Sequence, residues 1–296
     1  MNVLHIVVLA VVQGVAELLP VSSSAHVIVA EKLMGLDPTS PDMTLLLVML
    51  HTGTMFAVIA YFWQSWRETY FASARAFRAN GLHVAIATLA TGAVGLVLLQ
   101  VITHVVAGGA PGFEIEQLFG NPKLMAGGLA SAGLLIILSS RRVDAAGGHL
   151  SSRRAAWVGA VQGLCLPFRG FSRSGATISS GMLLGVSRQR AEAFSFALAV
   201  VLTPAVIAKE AYRFYQAHAG MAGTGAAGAL SLVGPSLLGM SLSFLAGLAA
   251  LRWLSRWLEQ GRWHIFGGYC LIAAVAVLVV GWGRRHHPFE RRVLGS

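Results

Sequence analysis

The stretch Gln13–His26, QGVAELLPVSSSAH, breaks an apolar run that otherwise extends from residue 3 to residue 34. An amide, a carboxylate, three hydroxyls and an imidazole stand together there, and Pro20 ends any helix that precedes it. A second stretch, Gln162–Ser179, QGLCLPFRGFSRSGATIS, interrupts residues 155 to 186 in the same way. Short apolar helices on either side of a Pro, Gly and Ser cluster read as a re-entrant helix-loop-helix. The two segments also share an order of features at an offset of about 150 residues, roughly half the chain: VQG at Val12–Gly14 and Val161–Gly163, then Pro20 and Pro167, then Ser22–Ser24 and Ser172–Ser174.

Between and beyond these segments, six apolar stretches approach the roughly 20 residues that cross a bilayer: 43–63, 82–106, 124–140, 193–208, 230–251 and 264–282. Each half then holds one re-entrant segment followed by three spans. Three is odd, so the second half enters from the opposite face. The expected fold is an all-α polytopic membrane protein with an inverted-topology repeat, its two polar loops meeting near the midplane. The halves cover about residues 1–145 and 150–285 of a single integral membrane domain spanning 1–296, with a basic tail at 286–296.

Composition agrees. Hydrophobic residues make up 55% of the 296 and charged residues 11%, against roughly 25% in an average globular chain, too few to build a water-soluble surface. The net charge of +10 does not point to nucleic acid, because there is no soluble basic domain to carry it. The basic residues sit in connectors instead. Arg67, Arg75 and Arg78, then Arg141, Arg142, Arg153 and Arg154, then Arg252, Arg256 and Arg262 fall on one side, and Glu114 and Glu116 on the other. The positive-inside rule makes the basic side cytoplasmic and both termini external, although Arg284, Arg285, Arg291 and Arg292 run against it. No basic region precedes the apolar run from Val3, so the N-terminus is expected to be part of the mature fold. Cys165 and Cys270 lack metal-ligand or CxxC spacing and read as buried thiols.

Ionisable groups inside membrane segments are functional candidates by default. Gln13 and Glu17, four apart, share a helix face. Ser22, Ser23, Ser24 and His26 follow Pro20 within one turn. Such a set suits activation of a nucleophile or water, with Glu17 and Gln13 as ligands of a divalent cation, or else forms a serine-rich helix cap. The second segment offers complementary charge. Arg173 presents a fork matching phosphate oxygens, Ser172, Ser174 and Thr177 offer hydroxyls, Gly170 allows a tight turn, and Arg169 adds a second guanidinium beside a helix N-terminus. The alternative is that Arg173 merely neutralises Glu17. His51 either lines the cavity or hydrogen-bonds a helix backbone, the structural role being favoured; Glu192 reads as a first-turn carboxylate, Glu31 and Lys32 as an interfacial helix end, and Trp63, Trp66 and Trp282 as an aromatic belt.

At these two segments the chain resembles the undecaprenyl-diphosphatase family of bacitracin-resistance membrane phosphatases. The family's first pattern, a Glu or Gln, then Glu, then PVSS and a His, is similar to Gln13, Glu17, Pro20, Val21, Ser22, Ser23 and His26. Its second, PGxSRSxxT, is similar to Gly170, Ser172, Arg173, Ser174 and Thr177, with Phe168 and Arg169 inserted after Pro167. HTGTMFAVIAYF from His51 and LLGVSRQRAEAFSF from Leu183 extend the likeness along nearly the whole chain. The resemblance implies hydrolysis of undecaprenyl diphosphate to the monophosphate and inorganic phosphate with Mg²⁺ or Ca²⁺, in the bacterial plasma (inner) membrane, as a homodimer. In that scheme Arg173 holds the diphosphate, Glu17 binds the cation or acts as base, and His26 is an acid or base. Ser23 either attacks or orients the phosphate while water attacks, and Ser22 and Ser24 are its substitutes. The rival class is an alternating-access carrier or flippase of polyprenyl phosphate, which would need the same anion pocket but no base beside it.

Overall fold

A computed structural model describes residues 2–36, 41–106, 121–142, 147–168, 170–218 and 226–282. Arg169, Glu114, Glu116 and the basic C-terminal tail lie outside the described residues. Among those described there are ten α-helices and no strand. Four of the helices are long and apolar enough to cross a membrane, over Met43–Tyr70, Ala74–Val105, Pro122–Ser140 and Gly234–Glu259. The chain is therefore a multi-pass membrane protein.

The first interrupted segment forms α1 (Val3–Leu18) and α2 (Ser23–Leu33), and the second forms α6 (Ser152–Cys165) and α7 (Arg173–Leu183). After α2 come α3 (Pro41–Tyr70), α4 (Ala74–Val101, prolonged by a π turn at Ile102–Val106) and α5 (Pro122–Ser140). After α7 come α8 (Arg188–His218), α9 (Ala226–Glu259) and α10 (Trp263–Trp282). All six expected spans are helices. Several overrun their apolar stretch by a turn or more, because helix continues into the connectors. Trp63 consequently lies well before the end of α3, and Trp66 is buried, donating from Nε1 to the Ala193 carbonyl at 3.1 Å.

Local chemistry places the breaks. The Asn2 side chain caps α1 through the Leu4 amide at 3.2 Å. Pro20 forces Leu19 into extended backbone, φ −74° and ψ 153°, which ends α1. Ser22 then adopts φ 66°, the one positive φ at a non-glycine among the described residues, and turns the chain into α2. In the second segment Gly170 makes the corresponding corner at φ 113°, with its Cα against the Met125 carbonyl, where a Cβ has no room. Ser172 caps α7 through the Gly175 amide at 3.2 Å.

Close helix packing runs through glycines, the usual device where lipid supplies no hydrophobic drive between helices. Gly14 of α1 lies against Ser243 and Ala246 of α9, and Gly163 of α6 against Thr91 and Val94 of α4. Gly133 of α5 and Gly267 of α10 face each other. The small-residue run Ala126–Gly133 thus serves contacts inside the chain, with Gly128 closing on Phe171 and Gly170. The largest core cluster joins α1, α3, α7, α8, α9 and α10 through Leu18, Phe62, Ile178, Phe196, Leu254 and Trp263. The buried Trp263 donates to the Ser139 and Ser179 hydroxyls at 3.1 Å each.

Candidate active site

Glu17 ends α1 at the point where α2, α3 and α7 converge. Its Oε1 accepts from Arg173 Nη2 at 3.1 Å. Its Oε2 accepts from Ser23 Oγ at 2.5 Å and from Gln13 Nε2 at 3.4 Å. The four residues come from both interrupted segments, 156 positions apart at the widest bond. Ser22 explains the reach of Ser23: its left-handed backbone reverses the chain, so the first residue of α2 points back at the last turn of α1.

The imidazole beside this cluster is His51, from the middle of α3, with Nε2 4.0 Å from Glu17 Oε2. Its Nδ1 donates to the Leu47 carbonyl at 2.8 Å, which holds the proton on Nδ1 and leaves Nε2 facing the acid. A small cavity of about 20 Å³, room for one water, is lined here by Glu17, His51, Thr54, Arg173 and Thr203 among apolar neighbours from α3 and α8. Glu17 and Arg173 keep 18% and 25% of their side chains exposed, so the ion pair is reachable and not sealed.

His26 is placed differently. Nδ1 donates to the Ser22 carbonyl at 2.8 Å, and Nε2 accepts from the Tyr269 hydroxyl at 2.5 Å, with the two rings stacked. It faces α10 and makes no described bond to Glu17. Of the two histidines it is thus His51 that lies beside Glu17, and it fits both readings open for it, lining the cavity and bonding a helix backbone. The hint available for His51 was its being an ionisable side chain inside a span.

The hydroxyls divide similarly. Ser172 caps α7 and lies 3.4 Å from Ser174, whose Oγ donates to the Leu19 carbonyl at 3.3 Å, tying the two loops together. Thr177 is buried, bonded to the Arg173 carbonyl at 2.8 Å and to Ser195 Oγ at 2.5 Å, because α7 already begins at Arg173 and puts Thr177 a full turn inside it. Ser22 is buried and does not cap α2 with its side chain, Ser24 is half-buried, and Gly170 serves the turn against α5. Glu192 is not a first-turn residue of α8. It is buried one turn in and accepts from Ser255 Oγ at 2.6 Å. Lys32 lies in the last turn of α2 as expected of a helix end, but Glu31 is buried. Cys165 and Cys270 are free buried thiols.

Beside the His51 nitrogen the cluster offers oxygen ligands: the Glu17 carboxylate, the Ser23 hydroxyl and the amide oxygen of Gln13, whose Nε2 is turned to Glu17. Among the described residues no group of three or more His, Cys, Asp or Glu stands together.

The family model described as bacitracin resistance protein BacA matches residues 6–276. The chain is 60% identical over 280 residues to a protein named undecaprenyl-diphosphatase 2 of Acinetobacter baylyi, covering 95% of this chain and 98% of that one. It is 33% identical over 294 residues to the undecaprenyl-diphosphatase of Desulfosudis oleivorans, covering 93% and 97%. To that of Rhodopirellula baltica it is 28% identical over 281 residues, covering 94% and 98%.

Proposed function

The chain belongs to the bacitracin resistance protein BacA family, and we infer that it is a membrane undecaprenyl-diphosphatase, hydrolysing undecaprenyl diphosphate to undecaprenyl phosphate and inorganic phosphate. The observation that carries this is the carboxylate of Glu17 held between the guanidinium of Arg173 and the hydroxyl of Ser23, where two broken helices meet among apolar side chains. A diphosphate on a long apolar tail needs a polar pocket reached sideways from lipid. Regenerating the lipid carrier for peptidoglycan synthesis at the plasma membrane follows from that activity.

Arg173 neutralises Glu17 at rest. A diphosphate entering the site competes for the same planar fork, with bidentate geometry and a larger charge. Its arrival releases Glu17 Oε1 as it captures Arg173. Glu17 then serves as base: the Ser23 proton moves to Oε2 as Oγ bonds to the terminal phosphorus and the anhydride P–O bond breaks, releasing undecaprenyl phosphate. Water afterwards displaces Ser23 from the phosphorus, freeing inorganic phosphate and restoring the hydroxyl. The 2.5 Å Ser23 to Glu17 bond favours this route over direct attack by water. His51 borders the same cavity, where its Nε2 lone pair would accept from a water lying beside the acid.

The donor set fits a hard divalent cation held jointly with substrate, since Mg²⁺ commonly takes one or two carboxylates and completes its sphere with phosphate and water. Glu17, Gln13 and Ser23 would hold it. When bound, Mg²⁺ or Ca²⁺ supplies charge that offsets the phosphate oxygens.

An inverted-topology repeat is the arrangement that accounts for the packing. Repeat-equivalent glycines, Gly14 and Gly163, pack on repeat-equivalent helices, α9 and α4, while the equivalent helices α5 and α10 pack on each other, which supports a two-fold axis between them. The family likeness also supports a homodimer. A carrier has no use for a serine hydrogen-bonded to a carboxylate beside its anion site, so the flippase reading is not favoured.

The test is phosphate release from farnesyl or undecaprenyl diphosphate by purified protein in detergent, with and without EDTA, for wild type, Glu17→Gln and Arg173→Ala. Release by wild type that both substitutions abolish supports the assignment. No release from well-folded wild type sinks it.

A further inference from the structure

The C-terminal end of α9 has two unlike faces. Leu251, Leu254 and Leu258 are buried in the main core. The opposite face, at the helical spacing Arg252, Trp253, Arg256, Trp257, lines an open groove of about 610 Å³, to which Arg262 returns from the turn before α10. This groove shares no lining residue with the cavity beside Glu17.

Its charge is unbalanced. Arg252, Arg256 and Arg262 are all exposed, and none of the three is in either ion pair described, His51 or Arg173 with Glu17. Glu259, the nearest carboxylate in sequence, accepts from Gln189 at 3.1 Å instead. Arg252 and Arg256 sit one turn apart, a like-charge spacing that costs a helix stability unless an anion lies between. Beneath them Trp253 and Trp257 meet edge to face at 4.9 Å, and Trp257 packs on Phe266 at 5.4 Å. Trp253 stays 42% exposed. The groove stands where the apolar span Gly234–Glu259 ends, at the depth where tryptophans and lipid headgroups meet.

We propose that this groove binds the phosphate headgroup of an anionic phospholipid, held by Arg252, Arg256 and Arg262 above the Trp253–Trp257 floor. Guanidinium forks match phosphate oxygens in pairs. Three guanidinium groups, which outweigh the single carboxylate of Glu259 nearby, select a lipid of net negative charge over a zwitterionic one. The exposed Ile265 and Ile272 on α10, which begins beside the groove, give the acyl chain an apolar track. The occupant is a resident lipid and not the substrate, so the proposal does not rest on the reaction assigned above.

Native mass spectrometry of the full-length protein in neutral detergent tests it, with dioleoyl phosphatidylglycerol or dioleoyl phosphatidylcholine titrated against wild type and the triple variant Arg252→Gln, Arg256→Gln, Arg262→Gln. Wild type is expected to retain a phosphatidylglycerol that the variant binds about a hundredfold more weakly, at roughly a fivefold factor per arginine. Phosphatidylcholine should bind both alike, and millimolar inorganic phosphate should not displace the bound lipid. Equal retention by the two proteins overturns the proposal. So does displacement by inorganic phosphate alone, which would make this a free-anion site, or a dimer lost in the variant with lipid binding unchanged, which would make it a contact between two copies. Phosphate release by the variant reports that it is folded. If it fails to fold, the triple Lys variant decides, since it keeps the charge and loses the forks: weaker retention of phosphatidylglycerol supports the site, and unchanged retention overturns it.

Discussion

The imidazole of His26 accepts a hydrogen bond from the Tyr269 hydroxyl at 2.5 Å, across 243 residues, with ring centroids 5.7 Å apart. Because Nδ1 is spent on the Ser22 carbonyl, the ring is fixed in one tautomer and one orientation from both sides. If His26 handles a proton in the reaction, Tyr269 is its positioning residue. Tyr269→Phe is then expected to lower kcat about tenfold and to move the pH–rate profile, with KM little changed, while His26→Ala costs roughly 10² or more. A Phe variant that matches wild type across the pH range would show that the bond has no part in turnover.

Ser23 carries a sharper expectation. Rapid acid quench with terminally ³²P-labelled substrate should trap label on the protein in wild type and none in Ser23→Ala, whose phosphate release falls by about 10³ or more. Ser22→Ala and Ser24→Ala, whose hydroxyls do not reach Glu17, should still be labelled. Release that persists in Ser23→Ala would transfer the attack to water.

The Glu17 to Arg173 pair makes a prediction about stability as well as rate. Removing one partner leaves a charge of the other sign in an apolar setting, a cost of roughly 3–5 kcal/mol when fully buried and about half that at this partial exposure. Arg173→Gln and Glu17→Gln should each lower the melting temperature in detergent, and the double variant should lie above the sum of the two losses. Simple additivity would mean that the pair is not coupled.

His51 and His26 can be told apart by what they touch. His51→Gln should lower activity by about tenfold or more, with Tyr269→Phe adding its own separate factor, because the two imidazoles contact different groups. Activity of His51→Gln equal to that of wild type would return His51 to a structural role.

Gly170→Ala tests the second corner. At φ 113° with its Cα against the Met125 carbonyl, any side chain meets both strain, about 1–3 kcal/mol, and a backbone wall. A clear drop in melting temperature is expected, and an unchanged melt would contradict the described turn.

These contrasts also mark what the sequence could convey. Pro20 and Pro167 announce the two breaks because a missing amide and a clash upstream are local properties. Glu17 and Arg173 announce each other because two opposite charges in an otherwise apolar chain have few other partners. The placing of His26 away from Glu17 was hidden for a reason equally physical: it depends on the left-handed backbone of Ser22, and a serine gives no advance sign of that conformation as a glycine would. Thr177 depended on where α7 starts, since a shift of one turn moves a hydroxyl from the loop to the α8 interface. Tyr269 sits in an apolar span with nothing nearby in sequence to mark it.

The small cavity beside Glu17 has a practical consequence for inhibitor discovery. The polar space there, about 20 Å³, holds one water, while the Glu17–Arg173 pair beside it stays open to approach from outside. A compound shaped to fill that space alone would be too small to bind tightly. One that lays an anion across the open edge of the Arg173 fork and an apolar tail along the neighbouring helices would instead displace the internal ion pair, and would compete with the substrate for the same guanidinium.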